Sequence, residues 1–245
     1  MIVDGHVRVG RSRDAALSPI DLLVTMDRLG IDRALVAPDE RSIAVDNRAG
    51  NEATARAAAA SDGRLAAYAV ANPWFTDAVG ELARARDAGA VALAVDPVLQ
   101  GFELLDGLLD PLLDFAAGAG WPVYVRTGTP PTALPLPLAT LARRHPGIAF
   151  VMGRSGATDF WIDAAPALRH APNLYADTAY APWDTVLSEF ARDSEIGARR
   201  VLFTTDAPCT VPDAELKRVT DWPLEPGDRA AVLGETLLRL LAKGP

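Results

Sequence analysis

Cysteine, histidine and lysine are all scarce in this chain. Cys209 is the single cysteine among 245 residues, so no intrachain disulfide can form, and a reducing cytoplasmic setting is expected. Of three histidines, His145 and His170 close helix-like runs, where capping or surface roles are ordinary, which leaves His6. Among 24 basic residues only Lys217 and Lys243 are lysines. GC-rich coding produces that bias, so an arginine's position, not its presence, decides whether it matters. No apolar run approaches the roughly 20 residues that span a bilayer. The opening MIVDGHVRVG lacks the basic and apolar regions of a signal peptide. A net charge of −8 argues against nucleic-acid and anionic-membrane partners. The GxGxxG signal of a dinucleotide-binding sheet is missing after the first strand, since Gly5 and Gly10 have the wrong spacing. No linker or low-complexity stretch divides residues 1–245, which predicts one domain.

What is present is an alternation of short apolar runs with longer amphipathic ones. Strand-like runs fall at Met1–Val7, Arg33–Ala37, Leu65–Ala71, Ala90–Val95, Pro122–Val125, Ala149–Met152, Leu174–Asp177 and Val201–Thr204. Between and after them lie helix-like runs, among them Ile20–Leu29, Asn51–Ala60, Thr76–Ala88, Leu104–Ala117 and Asp228–Ala242. Eight strand–helix units in about 250 residues predict an α/β fold, a single (β/α)8 TIM barrel. Ser18-Pro19 should open the first helix and Gly30 close it.

Active sites of such barrels lie at the carboxyl ends of the strands. The residues found there are titratable: Asp4, His6 and Arg8 on strand one, Asp96 after strand four, Arg126 after five, Arg154 after six, Asp177 after seven and Asp206 after eight. The period of two places Asp4, His6 and Arg8 on one face of their strand, with Val3 and Val7 on the other. Trp74, Tyr124, Trp161, Tyr180 and Trp183 lie close to strand ends and are candidates for lining a pocket.

Six motifs, in order along the chain, carry a resemblance. Asp4-Gly5-His6-Val7-Arg8 resembles D-x-H-x-H, and Met26–Asp32 resembles an M-D-x-x-G-V-D turn. Pro122–Gly128 is similar to P-V-x-x-H-x-G, and Phe150–Gly156 to a strand ending in G-H-x-G. Asn173–Thr178 and Arg200–Pro208 resemble N-V-Y-x-D-T-S and R-[IV]-L-F-G-[TS]-D-x-P. These are motifs of the amidohydrolase-related family, which includes aminocarboxymuconate-semialdehyde decarboxylase and similar metal-dependent hydrolases and decarboxylases. The resemblance implies a TIM barrel. It also places the family's metal ligands at His6, Arg8, Arg126 and Asp206, and its catalytic histidine at Arg154. The family's strand-four lysine is matched by Ala94, so no carbamylated lysine is available.

Three histidine positions thus carry arginine, which stays protonated and does not ligate a cation. The leading expectation is therefore an enzyme without a catalytic metal or other cofactor, acting on a small anionic substrate. Hydrolysis, a decarboxylation or other lyase step, and a cyclisation or rearrangement all stay open. His6 is the expected acid–base group, with Asp206 as its partner and Arg154 beside the chemistry. Arg8, Arg126, Trp74, Tyr124 and Asp177 are expected to bind substrate. Two alternatives stand beside this. In one the chain is a non-catalytic anion-binding or regulatory protein whose arginines pair with Asp4, Asp96, Asp177 and Asp206. In the other it is a metal hydrolase with altered ligands. A homo-oligomer is compatible with the sequence, which does not separate exposed helix faces from interfaces.

Overall fold

The structure, a computed structural model, describes residues 1–128, 132–156, 161–180 and 184–242. Nine strands form one continuous sheet: β1 (Val3–Arg11), β2 (Ala16–Leu17), β3 (Arg33–Pro38), β4 (Leu65–Ala69), β5 (Ala92–Val95), β6 (Val123–Arg126), β7 (Phe150–Gly153), β8 (Leu174–Asp177) and β9 (Val201–Leu202). Each strand from β4 onward pairs in parallel with its predecessor, and β3 pairs in parallel with β1. Among the described residues only β2 is antiparallel, folded back on the far end of β1. Backbone bonds then join the last strand to the first. Gly5 N–H donates to Phe203 O (2.9 Å), Asp206 N–H to His6 O (3.1 Å) and Arg8 N–H to Ala207 O (2.8 Å). The eight parallel strands match the eight runs expected from the sequence, and the barrel is the one expected.

Helices cover the outside: α1 (Pro19–Leu29), α2 (Glu40–Ala44), α3 (Asn47–Ala59), α4 (Ala78–Asp87), α5 (Pro97–Gln100), α6 (Asp110–Gly118), α7 (Pro135–Arg144), α8 (Ala164–His170), α9 (Asp184–Arg192), α10 (Pro212–Asp221), α11 (Pro226–Ala230) and α12 (Thr236–Leu241). The signals at α1 act as read. Ser18 accepts from Asp21 N–H, Pro19 occupies the first position, and Gly30 turns left-handed at φ 70°. Helix α6 begins six residues later than its apolar pattern, because Glu103 N–H and Leu108 N–H both donate to Asp106 and hold the intervening chain in a turn. Among the described residues no helix is long and apolar enough to cross a membrane.

Alternation along the strands separates two cores. Outward residues such as Ala34, Val36, Leu93, Val125, Met152 and Ala176 pack beneath the helices. Inward residues such as Leu35, Ala37, Tyr68, Ala94, Tyr124 and Val151 fill the barrel, joined by Leu237 and Leu240 of α12. Strand β1 breaks the period. Its register to β3 shifts between Asp4 and Val7, a bulge that puts an extra residue on β1. Val3 consequently joins the barrel interior and Val7 the helix layer. The expectation that both point the same way is corrected here, since a one-residue insertion inverts every side chain beyond it.

The bulge is held from both sides. Tyr68 donates its hydroxyl to Gly5 O (2.7 Å), and Gly5 lies against the closing strand. A Cβ on Gly5 would stand 2.9 Å from Thr204 Cγ2 and 3.2 Å from Phe203 O. The Gly5→Ala variant is expected to lose about 1–3 kcal/mol by overpacking the barrel seam. Urea unfolding should show a lower midpoint with an unchanged slope; an unshifted midpoint would contradict the tight seam.

Candidate active site

Arg8 near the end of β1, Asp96 after β5, Arg126 closing β6, Arg154 after β7 and Asp206 after β9 converge at the carboxyl end of the barrel. Asp96, Val98, Leu99, Arg126 and Arg154 line a cavity of about 170 Å³ there. A wider hollow of about 460 Å³, lined by Val45, Arg48, Phe75 and Arg84 among others, contains none of these mouth residues.

Two buried carboxylates organise the arginines. Asp206 is fully buried, and its Oδ2 accepts from Arg154 Nε (2.7 Å) and lies 2.6 Å from Arg154 Nη2. Arg126 Nη2 lies 4.0 Å from the same oxygen. Asp96 Oδ2 accepts from Arg8 Nη2 at 2.7 Å and from Arg126 Nη1 at 3.4 Å. Burial on its own would raise both carboxyl pKa values. The surroundings reverse this: His6 and Arg154 act on Asp206, and Arg8 and Arg126 on Asp96, so both groups sit below the ordinary carboxylate range. Burial likewise works against the Arg126 cation, and Asp206 and Asp96 outweigh it. Arg154 stacks its guanidinium 4.6 Å from the centre of the Tyr180 ring. Arg8 keeps Nε and Nη1 buried without a hydrogen-bond acceptor among the described residues, Nη1 being 3.7 Å from Glu40.

His6 lies beneath this layer. Its Nδ1 is 3.2 Å from Asp206 Oδ1, off the line of a hydrogen bond. Its ring stacks on Tyr124, with centroids 4.1 Å apart and planes 3° apart. Burial lowers the imidazole pKa and the Asp206 carboxylate opposes it, the net direction being down, so His6 is held neutral. Tyr124 donates its hydroxyl to Asp177 Oδ2 (3.1 Å). Asp4 accepts from Thr205 N–H (2.9 Å) and from the Thr205 hydroxyl.

The structure therefore brings His6, Arg8, Arg126, Arg154 and Asp206 together, as expected. Tyr124 meets this cluster through its ring on His6, and Asp177 lies beyond it. Tyr124 and Asp177 are 2% and 0% exposed and face each other, not the cavity. Trp74 is 60% exposed, donates Nε1–H to Gly101 O, and is absent from the cavity wall. Burial explains the first correction: a strand-end position marks the barrel mouth, but the side chain's depth depends on what packs above it. Asp4 and Asp177 are not arginine partners either, since each is engaged by hydroxyl groups. Trp183 lies outside the described residues. Asp96, shared by two arginines, is the residue that sequence reading undervalued; its position at the end of β5 was the available signal.

The donor set does not fit the divalent ion of the resemblance. Of the four ligand positions only His6 and Asp206 carry metal-binding groups, whereas catalytic zinc usually takes three protein ligands. Asp206 already holds a guanidinium, and an added dication would face that charge in a buried site at a cost of several kcal/mol. Among the described residues no three His, Cys, Asp or Glu side chains are grouped to hold a metal ion.

Burial raises the Asp4 carboxyl to about 7, against about 4 unfolded. The folded state therefore binds the Asp4 proton where the unfolded state has lost it. That stabilisation is complete below pH 4 and is lost as pH rises to about 7. Asp206, shifted downward, titrates below this window. Asp4→Asn should therefore flatten the fall in urea midpoint between about pH 4 and 7 relative to wild type; parallel curves would show that Asp4 ionises normally.

With the geometry established, comparison with known proteins gives many structures of the same architecture, three of them as follows. A 2,6-dihydroxybenzoate decarboxylase from Rhizobium is 18% identical with a TM-score of 0.73, covering 99% of each chain. A 5-carboxyvanillate decarboxylase from Novosphingobium aromaticivorans, complexed with manganese and 4-hydroxy-3-methoxy-5-nitrobenzoic acid, is 13% identical with a TM-score of 0.76, covering 99% of this chain and 96% of its own. An uncharacterised TIM-barrel protein from Bordetella bronchiseptica is 16% identical with a TM-score of 0.78, covering 99% and 98%. At these identities the likeness is one of fold. No curated protein matches the chain. The amidohydrolase family model matches residues 6–242, nearly the whole length, and the chain belongs to that family.

Proposed function

We propose that this protein is a lyase that decarboxylates a small hydroxylated carboxylic acid by proton transfer, without a catalytic metal. The observation that carries the reading is a buried His6 lying 3.2 Å from Asp206, the carboxylate that Arg154 and Arg126 also face. Three arginines face two ionised carboxylates, Asp96 and Asp206, leaving 3 − 2 = 1 positive charge, with Glu40 partly exposed beside Arg8. Such a surplus suits one substrate carboxylate. The cavity of about 170 Å³ suits a molecule of single-ring size. Two of the structural relatives are decarboxylases of hydroxylated benzoates, which supports the reaction class.

In this reading Arg126 and Arg154 hold the substrate carboxylate, the planar fork favouring two parallel hydrogen bonds. His6 takes the proton of an adjacent hydroxyl and returns it to the ring carbon that bears the carboxylate. The carbon–carbon bond then breaks, carbon dioxide leaves, and its electron pair restores the ring as a phenolate, which solvent reprotonates. Asp206 stabilises the transient imidazolium, and the arginines stabilise the phenolate. Arg154 must share its guanidinium between substrate and Asp206, which its remaining N–H donors permit. A second reading has its own observation. Both contacts of Arg154 to Asp206 are short, as a closed, non-catalytic network requires.

A panel of mono- and dihydroxybenzoates, assayed for carbon dioxide release with parallel elemental analysis, separates the readings. Turnover should survive chelator in protein with substoichiometric metal, and His6→Ala should lower kcat by about 10²–10⁴-fold. Arg126→Ala should raise KM at least about tenfold, the loss of one charge-assisted contact. Binding of benzoates without turnover would favour the closed network. Activity that falls with chelator and returns with manganese would overturn the metal-free proposal.

A further inference from the structure

The mechanism above uses His6 but not what lies beneath it. Tyr124 is fixed at three points. One ring face stacks on His6, at 4.1 Å and 3°. Its hydroxyl donates to Asp177 Oδ2 at 3.1 Å. Gly153 supports the hydroxyl end so closely that a Cβ there would lie 2.3 Å from both Tyr124 Cζ and Oη. Only glycine at this position leaves room for the ring. Tyr68 adds a tilted ring 5.9 Å from His6 and 6.0 Å from Tyr124, closing the remaining side.

Asp177 is held in turn. Ser155 Oγ donates to its backbone oxygen. Its Oδ1 and the Thr204 hydroxyl are both buried without a conventional hydrogen bond among the described residues. Burial pushes the Asp177 carboxyl well above the ordinary range. The chain of contacts runs from Asp177 through Tyr124 to the imidazole, entirely inside the barrel.

We infer that Tyr124, tethered by Asp177, is a positioning residue that holds the plane of the His6 ring, with Nδ1 toward Asp206. The inference rests on His6 being the acid–base group of the proposed reaction. The Asp206 contact is poorly aligned, so it does not fix that plane by itself. A partner ring clamped within a few degrees of parallel adds van der Waals contact over its whole face and leaves no room for tilting. The expectation that Tyr124 and Asp177 bind substrate directly is replaced by this indirect role.

The experiment needs no turnover, so it stays decisive even if the decarboxylase reading fails. The full-length protein is labelled with 13C and 15N in histidine, and its NMR spectrum is recorded at one pH. With three histidines in the chain, His6 is assigned by the signal missing in His6→Ala. In wild type the His6 ring protons should lie upfield of those of His145 and His170, through the Tyr124 ring current. Tyr124→Leu should lose the upfield shift. Tyr124→Phe should keep an upfield shift of reduced size, because the ring is retained but the tether to Asp177 is gone. An unshifted His6 in wild type, or a shift that persists in Tyr124→Leu, overturns the stacking role. A shift in Tyr124→Phe equal to that of wild type overturns the tether, and that variant decides the matter if Tyr124→Leu does not fold.

Discussion

A carboxylate with no exposure to water needs partners, and the barrel mouth is arranged around the one on Asp206. Desolvating such a charge costs several kcal/mol unless opposite charge and hydrogen bonds replace the lost water. Arg154 supplies two short contacts to Oδ2, and His6 stands beside Oδ1. Satisfying that group imposes backbone strain. Asp206, Arg154 and Ser155 all adopt left-handed conformations, at φ 51°, 63° and 48°, and none is glycine. Residues in that region each cost about 1–3 kcal/mol and persist where the surroundings over-determine them. Here the ion pair and the barrel seam supply the determination. Both ends of the Arg154–Asp206 contact lie on strained segments, as expected where side-chain placement outranks backbone comfort.

The same low-dielectric interior sorts the carboxylates into two classes by partner. Asp96 and Asp206 face guanidinium groups and stay ionised. Asp4 and Asp177 face hydroxyl groups, and burial raises their pKa values instead. The four groups share one barrel and differ in depth and neighbours alone. The division has a functional use in the proposed chemistry. Ionised groups set the charge of the mouth, while Asp4 and Asp177 below it accept hydrogen bonds from Thr205 and Tyr124. Tyr124 belongs to the lower layer, and the packing of Gly153 against it shows how little freedom that layer has.

The barrel was legible in the sequence because eight apolar runs punctuated by glycine and proline admit few other arrangements. The cluster of His6, Arg8, Arg126, Arg154 and Asp206 was legible for a related reason, since parallel strands deliver their final residues to one end. Depth was not. Tyr124 and Asp177 occupy strand-end positions much like Arg126 and Arg154, and only three-dimensional packing tells a wall residue from a floor residue. The bulge in β1 was hidden too. Asp4-Gly5-His6-Val7-Arg8 alternates as a regular strand would, and the insertion follows from how Gly5 meets Phe203 across the seam, about 200 positions away. Pairing choice was equally closed to sequence. Four carboxylates were available to three arginines, and geometry selected Asp96 and Asp206 alone.

What the arginines change is the kind of positive charge the mouth offers. A divalent ion is a compact charge that polarises a bound group and is held only while its ligands are deprotonated. A guanidinium spreads one charge over a plane, is covalently part of the chain, and stays protonated across the physiological range. Three of them, held against two carboxylates, keep a fixed charge pattern with no ligand to acquire. In the proposed chemistry the difference has a consequence. A metal lowers the pKa of a bound water and so favours hydrolysis, whereas guanidinium groups chiefly bind and stabilise anions already present. A reaction whose negative charge starts on the substrate and ends on a product oxygen needs the second and not the first. For that physical reason, among the reactions the family fold left open, decarboxylation fits this mouth better than hydrolysis.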